Sequence, residues 1–290
     1  VGFLPKDQGV VQKGIGEFCD YQTGACTPNP ENPDGLLRKW DSLPNFARTD
    51  LFMNFNISSV SAYIGSGKLD GEGIPPDFFS DINVRKAMAT CFDYDAYLND
   101  VLLEGGIRNN GPIIADMLGY NEDGPMYEHD PEACARHLEQ AWGGVLPERG
   151  FRFSLIYPST DRDANTIGAI LQEQLSAINE KYRLDVVGMS VPLFVNTAVA
   201  NQAPLFLSGW VEDFHDPHNW VHPYTIGLFA ARQNMPEELR GRFQELVEAG
   251  IATSDPAARE QAYFALQQLY YDTAPAVILG QASNYRIEPR

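Results

Sequence analysis

Apolar and polar positions recur along this chain with two different periods, and the changes of period mark out its elements. Leu51-Phe52-Met53-Asn54-Phe55-Asn56-Ile57 alternates at its centre, the pattern of a strand. Behind Ser80 and Asp81, the residues Val84, Ala87, Met88, Cys91 and Phe92 fall at i, i+3, i+4, i+7 and i+8, as in a capped amphipathic helix. A short helix is predicted from Asp95 to the stop at Gly105-Gly106. Asp130-Pro131-Glu132 is a stronger start: an acidic cap, a proline at the first helical position, and a carboxylate favoured by the helix dipole. Cys134, Leu138 and Ala141 form the inner face of that helix, and Gly143-Gly144 ends it. The middle of the chain reads as strand 151–157, helix 162–178, strand 184–187, short helix 193–200 and buried strand 205–207. That β-α-β-α-β order predicts a mainly parallel sheet covered by helices, with ligands gathering at the carboxyl ends of the strands. Helices over 236–250 and 256–271 and a strand over 276–279 follow. The first 48 residues, rich in Gly, Pro and Asn, show no sustained period and are read as irregular.

Charge narrows the class. Lys and Arg number 21 against 39 Asp and Glu, a net charge of −18, which repels phosphate backbones and anionic lipid and so excludes nucleic-acid partners. With 44% hydrophobic and 21% charged residues the chain is globular, not a disordered acidic tail. No apolar run reaches the roughly 20 residues that span a bilayer. The start at Val1-Gly2-Phe3-Leu4-Pro5, without methionine or a signal peptide, implies a processed or truncated product. Cys19 and Cys26 bracket a short polar loop, which suits either a staple across a turn or two reduced surface thiols. Cys91 and Cys134 each sit on an apolar helical stripe as small core residues, and a second bridge forms if those helices pack together.

The chemistry-bearing residues concentrate after the 205–207 strand. The glycine-rich loop 65–73 is not a phosphate loop, because Ala62 and Leu69 stand where the motif needs Gly and Ser or Thr. Residues 209–224 hold two of the four Trp and three of the five His. Trp210 with Asp213 makes an aromatic surface and a carboxylate at a strand end, suited to a ligand ammonium. Asp216 before Pro217 reads as a turn cap; for Asp213, cap and ligand partner are both open. His215, His218 and His222 have i, i+3, i+7 spacing, a candidate metal set, although Pro217 and Pro223 argue against one regular helix through all three. A metal-dependent enzyme is the rival class, but no G-x-S-x-G elbow occurs and Cys91 lies on an apolar face.

The run Gly209-Trp210-x-x-Asp213-Phe214-x-Asp216-Pro217-x-Asn219 resembles the signature of the family 5 extracellular solute-binding proteins, the peptide, nickel and related receptors of ABC importers. Asp81-x-x-Val84-Arg85-Lys86-Ala87 with Phe92-Asp93, Tyr127-x-x-Asp130-Pro131-Glu132, and Asp272-x-Ala274-Pro275 resemble further family segments in the same order. The resemblance covers only the C-terminal half of such receptors. It implies an α/β type II periplasmic-binding-protein lobe with a mixed, mainly parallel sheet flanked by helices. Residues 1–48 would be an irregular inter-lobe segment, 49–272 the ligand-binding C-terminal lobe, and 273–290 the start of the return to the N-terminal lobe. It further implies a monomeric, extracytoplasmic binder, periplasmic or lipid-anchored, with no enzymatic activity and no cofactor. Its partners would be a peptide or other small molecule, the ABC permease subunits and the N-terminal lobe. Such a compartment favours disulfides at Cys19–Cys26 and Cys91–Cys134. By the same resemblance Asp213 holds a ligand α-ammonium and Trp210 lines a side-chain pocket, with Phe214, His215 and Tyr157 completing the candidate wall. His215 and His218 are the departure, since peptide receptors do not need them; they leave a nickel complex or another specialised ligand open.

Overall fold

Strands that are apolar on both faces need cover on both, and the architecture follows from that. The computed structural model describes residues 13–103 and 105–290; readings that fall on residues 1–12 lie outside the described residues. In chain order the strands are β1 (Ile15–Asp20), β2 (Cys26–Pro28), β3 (Leu37–Leu43), β4 (Ala47–Met53), β5 (Gly106–Ile107) and β6 (Phe151–Pro158). They continue as β7 (Tyr182–Met189), β8 (Leu205–Val211), β9 (Ala276–Val277), β10 (Gln281–Ala282) and β11 (Asn284–Pro289). The helices that matter below are α1 (Ile82–Cys91), α2 (Pro131–Gln140), α3 (Ala164–Ile178), α4 (Val191–Val199) and α5 (Pro217–Thr225). After them come α6 (Leu228–Arg232), α7 (Glu237–Ile251) and α8 (Pro256–Thr273).

The main sheet has the order β7-β6-β8-β4-β9. β6 runs parallel to β7 and β8, as crossovers through α3 and α4 require, whereas β4 runs antiparallel to both β8 and β9. Successive residues alternate between two cores. Leu51, Met53, Leu155, Leu205 and Leu207 pack under α1, α2 and α3, while Phe52, Ile156 and Phe206 pack under α5 to α8. Gly168 lets α3 approach closely, because a Cβ there would lie 2.6 Å from Val186.

The predicted caps are in place. The Asp81 carboxylate accepts from the Asn83 N–H at 2.8 Å, and that of Asp130 from the Ala133 N–H at 2.8 Å. α1 and α2 do pack together, and Cys91–Cys134 bridges them with a Cα separation of 5.2 Å. The Cys19–Cys26 disulfide joins directly paired residues of β1 and β2.

Four differences from the sequence reading have physical causes. The stretch before residue 49 is not irregular: β3, β1 and β2 join β11 in a four-stranded sheet, order β11-β3-β1-β2. Its strands lack a hydrophobic period because each is only partly covered, and ion pairs such as Arg38–Glu17 at 2.6 Å hold them. The strand expected over 51–57 lies at 47–53, and Asn54 ends it by turning its amide onto the carbonyls of Asn201 and Ala203. The helix expected from Asp95 starts instead behind the Asp93 cap as a single turn, Tyr94–Ala96, and widens into one π turn, Tyr97–Val101. Residues 217–225, given no element by the sequence, form a helix that carries His218 and His222 and leaves His215 outside, so no one helix passes through all three histidines, as the prolines predict. Pro217 occupies the first helical position, where its missing N–H costs nothing, and only Pro223 interrupts the hydrogen-bond ladder.

A fully buried ion pair sits where β4 enters the sheet. Arg48 Nε donates to Asp50 at 2.8 Å, and Asp50 also accepts from the Tyr224 hydroxyl at 2.7 Å and the Leu279 N–H at 2.9 Å. Burial opposes the charge on Arg48, but Asp50 and Tyr224 beside it hold the guanidinium protonated. Asp50→Asn leaves that cation without its counter-charge and should lower the unfolding free energy by about 3–5 kcal/mol. Urea unfolding followed by circular dichroism checks this, and a loss below about 1 kcal/mol would show the pair to be dispensable.

Candidate ligand-binding site

The β4–β8 ladder places Arg48 opposite Trp210 and Ala47 opposite Val211, so β8 delivers Trp210 to the carboxyl end of the sheet. Beyond the ladder, the Glu212 N–H still reaches the Phe46 carbonyl at 3.1 Å, and the chain then leaves as the loop before α5. Three acidic residues follow within five positions and have three different surroundings. Glu212 is nearly buried and accepts from Trp220 Nε1 at 2.9 Å, with His215 Nδ1 on its other oxygen at 2.9 Å. Asp216 caps α5 by accepting the His218 N–H at 2.9 Å, and Arg259 clamps it at 2.8 and 2.9 Å. Asp213 is exposed, and its carboxylate has no partner among the described residues.

Asn219, buried in the first turn of α5, holds this arrangement together. Its side-chain oxygen accepts from Trp210 Nε1 at 2.9 Å and from the Asp213 N–H at 3.2 Å. One amide therefore fixes both the indole and the backbone that presents the carboxylate. The motif contains Asn219, but the sequence assigns it no role; its place in the first turn of the helix that follows the strand-end Trp is the only signal for it.

Trp210 lines a cleft of about 410 Å³ at this end of the sheet. Asn45, residues 47–49 and residues 209–211 form its floor, Tyr97, Val101, Leu102 and Ile167 one wall, and Asp161 and Asp163 line it from the β6–α3 turn. Gly280 and Ala282 close the remaining side. Asp213, Phe214 and His215 lie on the adjoining exposed loop and are not part of the lining. Phe214 is 55% exposed, and His215 leans edge-on against Phe46 with ring centroids 5.1 Å apart. Tyr157 is buried, with its hydroxyl donating to Asn165 at 2.7 Å, below the site and outside the cleft. A larger hollow of about 870 Å³ opens by Phe55 and Met235 at the opposite end of β4, and no residue of the 209–216 loop lines it.

The three histidines do not converge. His215 is held by Glu212 in the loop, while the rings of His218 and His222 lie 5.3 Å apart on α5. Burial, reinforced by His222, keeps the His218 imidazole below its ordinary pKa, towards the neutral form. Among the described residues, the group of His, Cys, Asp or Glu close enough to share an ion is Glu17 with Cys19 and Cys26, and those cysteines are disulfide-bonded. No helix of the described chain is long and apolar enough to cross a membrane.

Residues 41–228 match the family described as bacterial extracellular solute-binding proteins, family 5 middle. The chain belongs to that family. It is 25% identical over 208 residues to the dipeptide-binding protein of Escherichia coli K12, covering 71% of this chain and 38% of that one. To di/tripeptide-binding protein 2 of Pseudomonas aeruginosa it is 24% identical over 226 residues, covering 73% and 41%. Its fold matches that of the periplasmic binding protein DppA of Helicobacter pylori, solved with peptide STSA. There the TM-score is 0.67 at 17% identity, over 91% of this chain and 48% of that one. The chain thus spans about two fifths of the curated relatives' length. These family relatives are solute-binding proteins rather than enzymes.

Asn219→Ala removes the shared acceptor from two partly buried donors and should cost about 0.5–1.5 kcal/mol of stability, the usual net worth of a hydrogen bond. Urea unfolding measures it, and an unchanged midpoint would mean that Trp210 and the Asp213 loop are held by something else.

Proposed function

We propose that this chain forms one wall of a two-lobed, extracytoplasmic receptor that captures a peptide for an ABC importer. The observation that carries this reading is the unpartnered Asp213 carboxylate, presented beside Trp210 by the Asn219 lock, in a chain of this family. An anion without a counter-charge at the rim of a cleft is matched by a ligand ammonium, and the indole offers an apolar and cation-attracting surface next to it. The dipeptide- and di/tripeptide-binding names of its relatives favour a peptide with a free amino terminus.

Enclosure supplies the affinity. A cleft open on one side leaves the ion pair in water, where it is worth at most about 1 kcal/mol. Closure of a second, N-terminal lobe over the same ligand removes that water and makes Asp213 decisive. In this reading residues 49–272, with β9 added to their sheet, are the ligand-binding lobe, and β1, β2, β3 and β11 belong to the region between lobes. The protein acts as a monomer that presents its closed form to the permease subunits. A metal-complex ligand has no comparable support, since His215 is held by Glu212 in the loop and does not join the His218–His222 pair.

The test is calorimetry on the full-length protein with trialanine and N-acetyl-trialanine. Asp213→Asn should weaken trialanine binding by at least about tenfold, and the acetylated peptide should bind the unaltered protein correspondingly poorly. Equal affinities for both proteins would remove Asp213 from the site.

A further inference from the structure

The cleft carries a second set of polar groups that pairing at Asp213 leaves unused. Asp161 and Asp163 line it from the turn between β6 and α3, and Tyr97 lines it from the π turn. In that turn the Leu102 N–H reaches the Tyr97 carbonyl at 3.1 Å, an i→i+5 bond, and the widened spacing sets Tyr97, Val101 and Leu102 along one wall. Tyr97 is only 3% exposed, yet its hydroxyl makes no hydrogen bond among the described residues. Tyr97 lines the cleft, and its hydroxyl, with no bond among the described residues, is free to pair with a polar group of a ligand there.

The carboxylates supply the sign. One oxygen of Asp161 is committed to the backbone, accepting the N–H groups of Asp163 at 3.0 Å and Ala164 at 3.2 Å, and its other oxygen is unbonded. The Asp163 carboxylate has no hydrogen-bond or ion-pair partner among the described residues, and it makes no cap bond to α3. Partial burial and the neighbouring Asp161 both disfavour its charge, and only the exposed Arg162 between them relieves it. Arg48, the cationic side chain among the lining residues, is already matched by Asp50. The lining therefore holds two acids and a phenol with no cation to spare.

We propose that Tyr97, Asp161 and Asp163 form a subsite for a second cation on the ligand, so that the preferred peptide carries an ammonium or guanidinium side chain as well as its terminal amine. This rests on the peptide reading above and names the class of peptide. The side-chain cation would bond the free oxygens of Asp161 and Asp163, with the Tyr97 oxygen accepting a further N–H. Charge-assisted bonds of this kind are worth about tenfold or more in affinity once water is excluded.

Calorimetry on the full-length protein with trialanine, Ala-Lys-Ala, Ala-Ala-Lys and Ala-Glu-Ala tests it. At least one lysine peptide should bind about tenfold tighter than trialanine, and the glutamate peptide more weakly than either. Asp163→Asn, which leaves the Asp161 cap intact, should remove most of that advantage while trialanine binding stays within about twofold. Tyr97→Phe, which keeps the buried ring, should reduce the advantage in part. Tripeptides that bind with no preference for lysine, or a preference that survives Asp163→Asn, would overturn the subsite and leave the peptide reading standing. Failure of all four peptides to bind would overturn the peptide reading, and the subsite with it.

Discussion

The buried pairing of Arg48 with Asp50 constrains everything built at the carboxyl end of the sheet. A guanidinium at this depth is tolerable only with a counter-charge and several acceptors, and its partners come from distant parts of the chain. Asp50 is two residues along β4, Tyr224 is on α5, the Leu279 N–H lies just beyond β9, and the Pro112 carbonyl belongs to the long connection before α2. Trp220 and Tyr224 add ring faces at 5.4 and 5.3 Å from the guanidinium carbon. The cluster can be satisfied only when β4, α5 and the returning 276–279 segment are docked together. Because Arg48 is paired across the ladder with Trp210, satisfying that charge also fixes the strand end from which the ligand-binding loop departs.

A division of labour among acids follows. Glu212 and Asp216 spend their charges inside the protein, on Trp220 and His215 and on the α5 cap and Arg259. The residue between them in sequence, Asp213, contributes only its backbone N–H to the fold. Its side chain can be exchanged at little cost to stability, whereas either neighbour cannot. That asymmetry is a reason to assign Asp213 to a ligand, and it could not be read from spacing alone.

Much of the frame was legible because it rests on local rules. Asp81 and Asp130 cap as their positions suggest, the apolar stripes of α1 and α3 face the core, and β6, β7 and β8 run parallel as their intervening helices require. What escaped depends on long-range pairing. β3 has no apolar period, and its role appears only when β11, more than 240 residues later, lies against it. α5 forms through two prolines because its first is harmless and tertiary packing buries Trp220, Val221 and Tyr224. Tyr157, placed at a strand end by its position, turns inward onto Asn165, while Tyr97, for which the sequence offers no signal, lines the cleft. Asp161 and Asp163 passed unnoticed because two acids before a helix are ordinary capping chemistry, and only the fold shows them sharing a hollow with Trp210.

The cleft combines a fixed floor with exposed side chains at its edge. Its floor is strand, with Trp210 tied by the ladder on one side and by Asn219 on the other, so the indole cannot turn without breaking a partly buried hydrogen bond. Its rim, by contrast, holds Asp213 and Phe214 on a loop whose side chains make few commitments. In the proposed receptor the fixed indole would set where a peptide lies, and the exposed side chains would meet what it carries. Since Asn219 bonds both the indole and the Asp213 backbone, a displacement of either must perturb the other through a single amide.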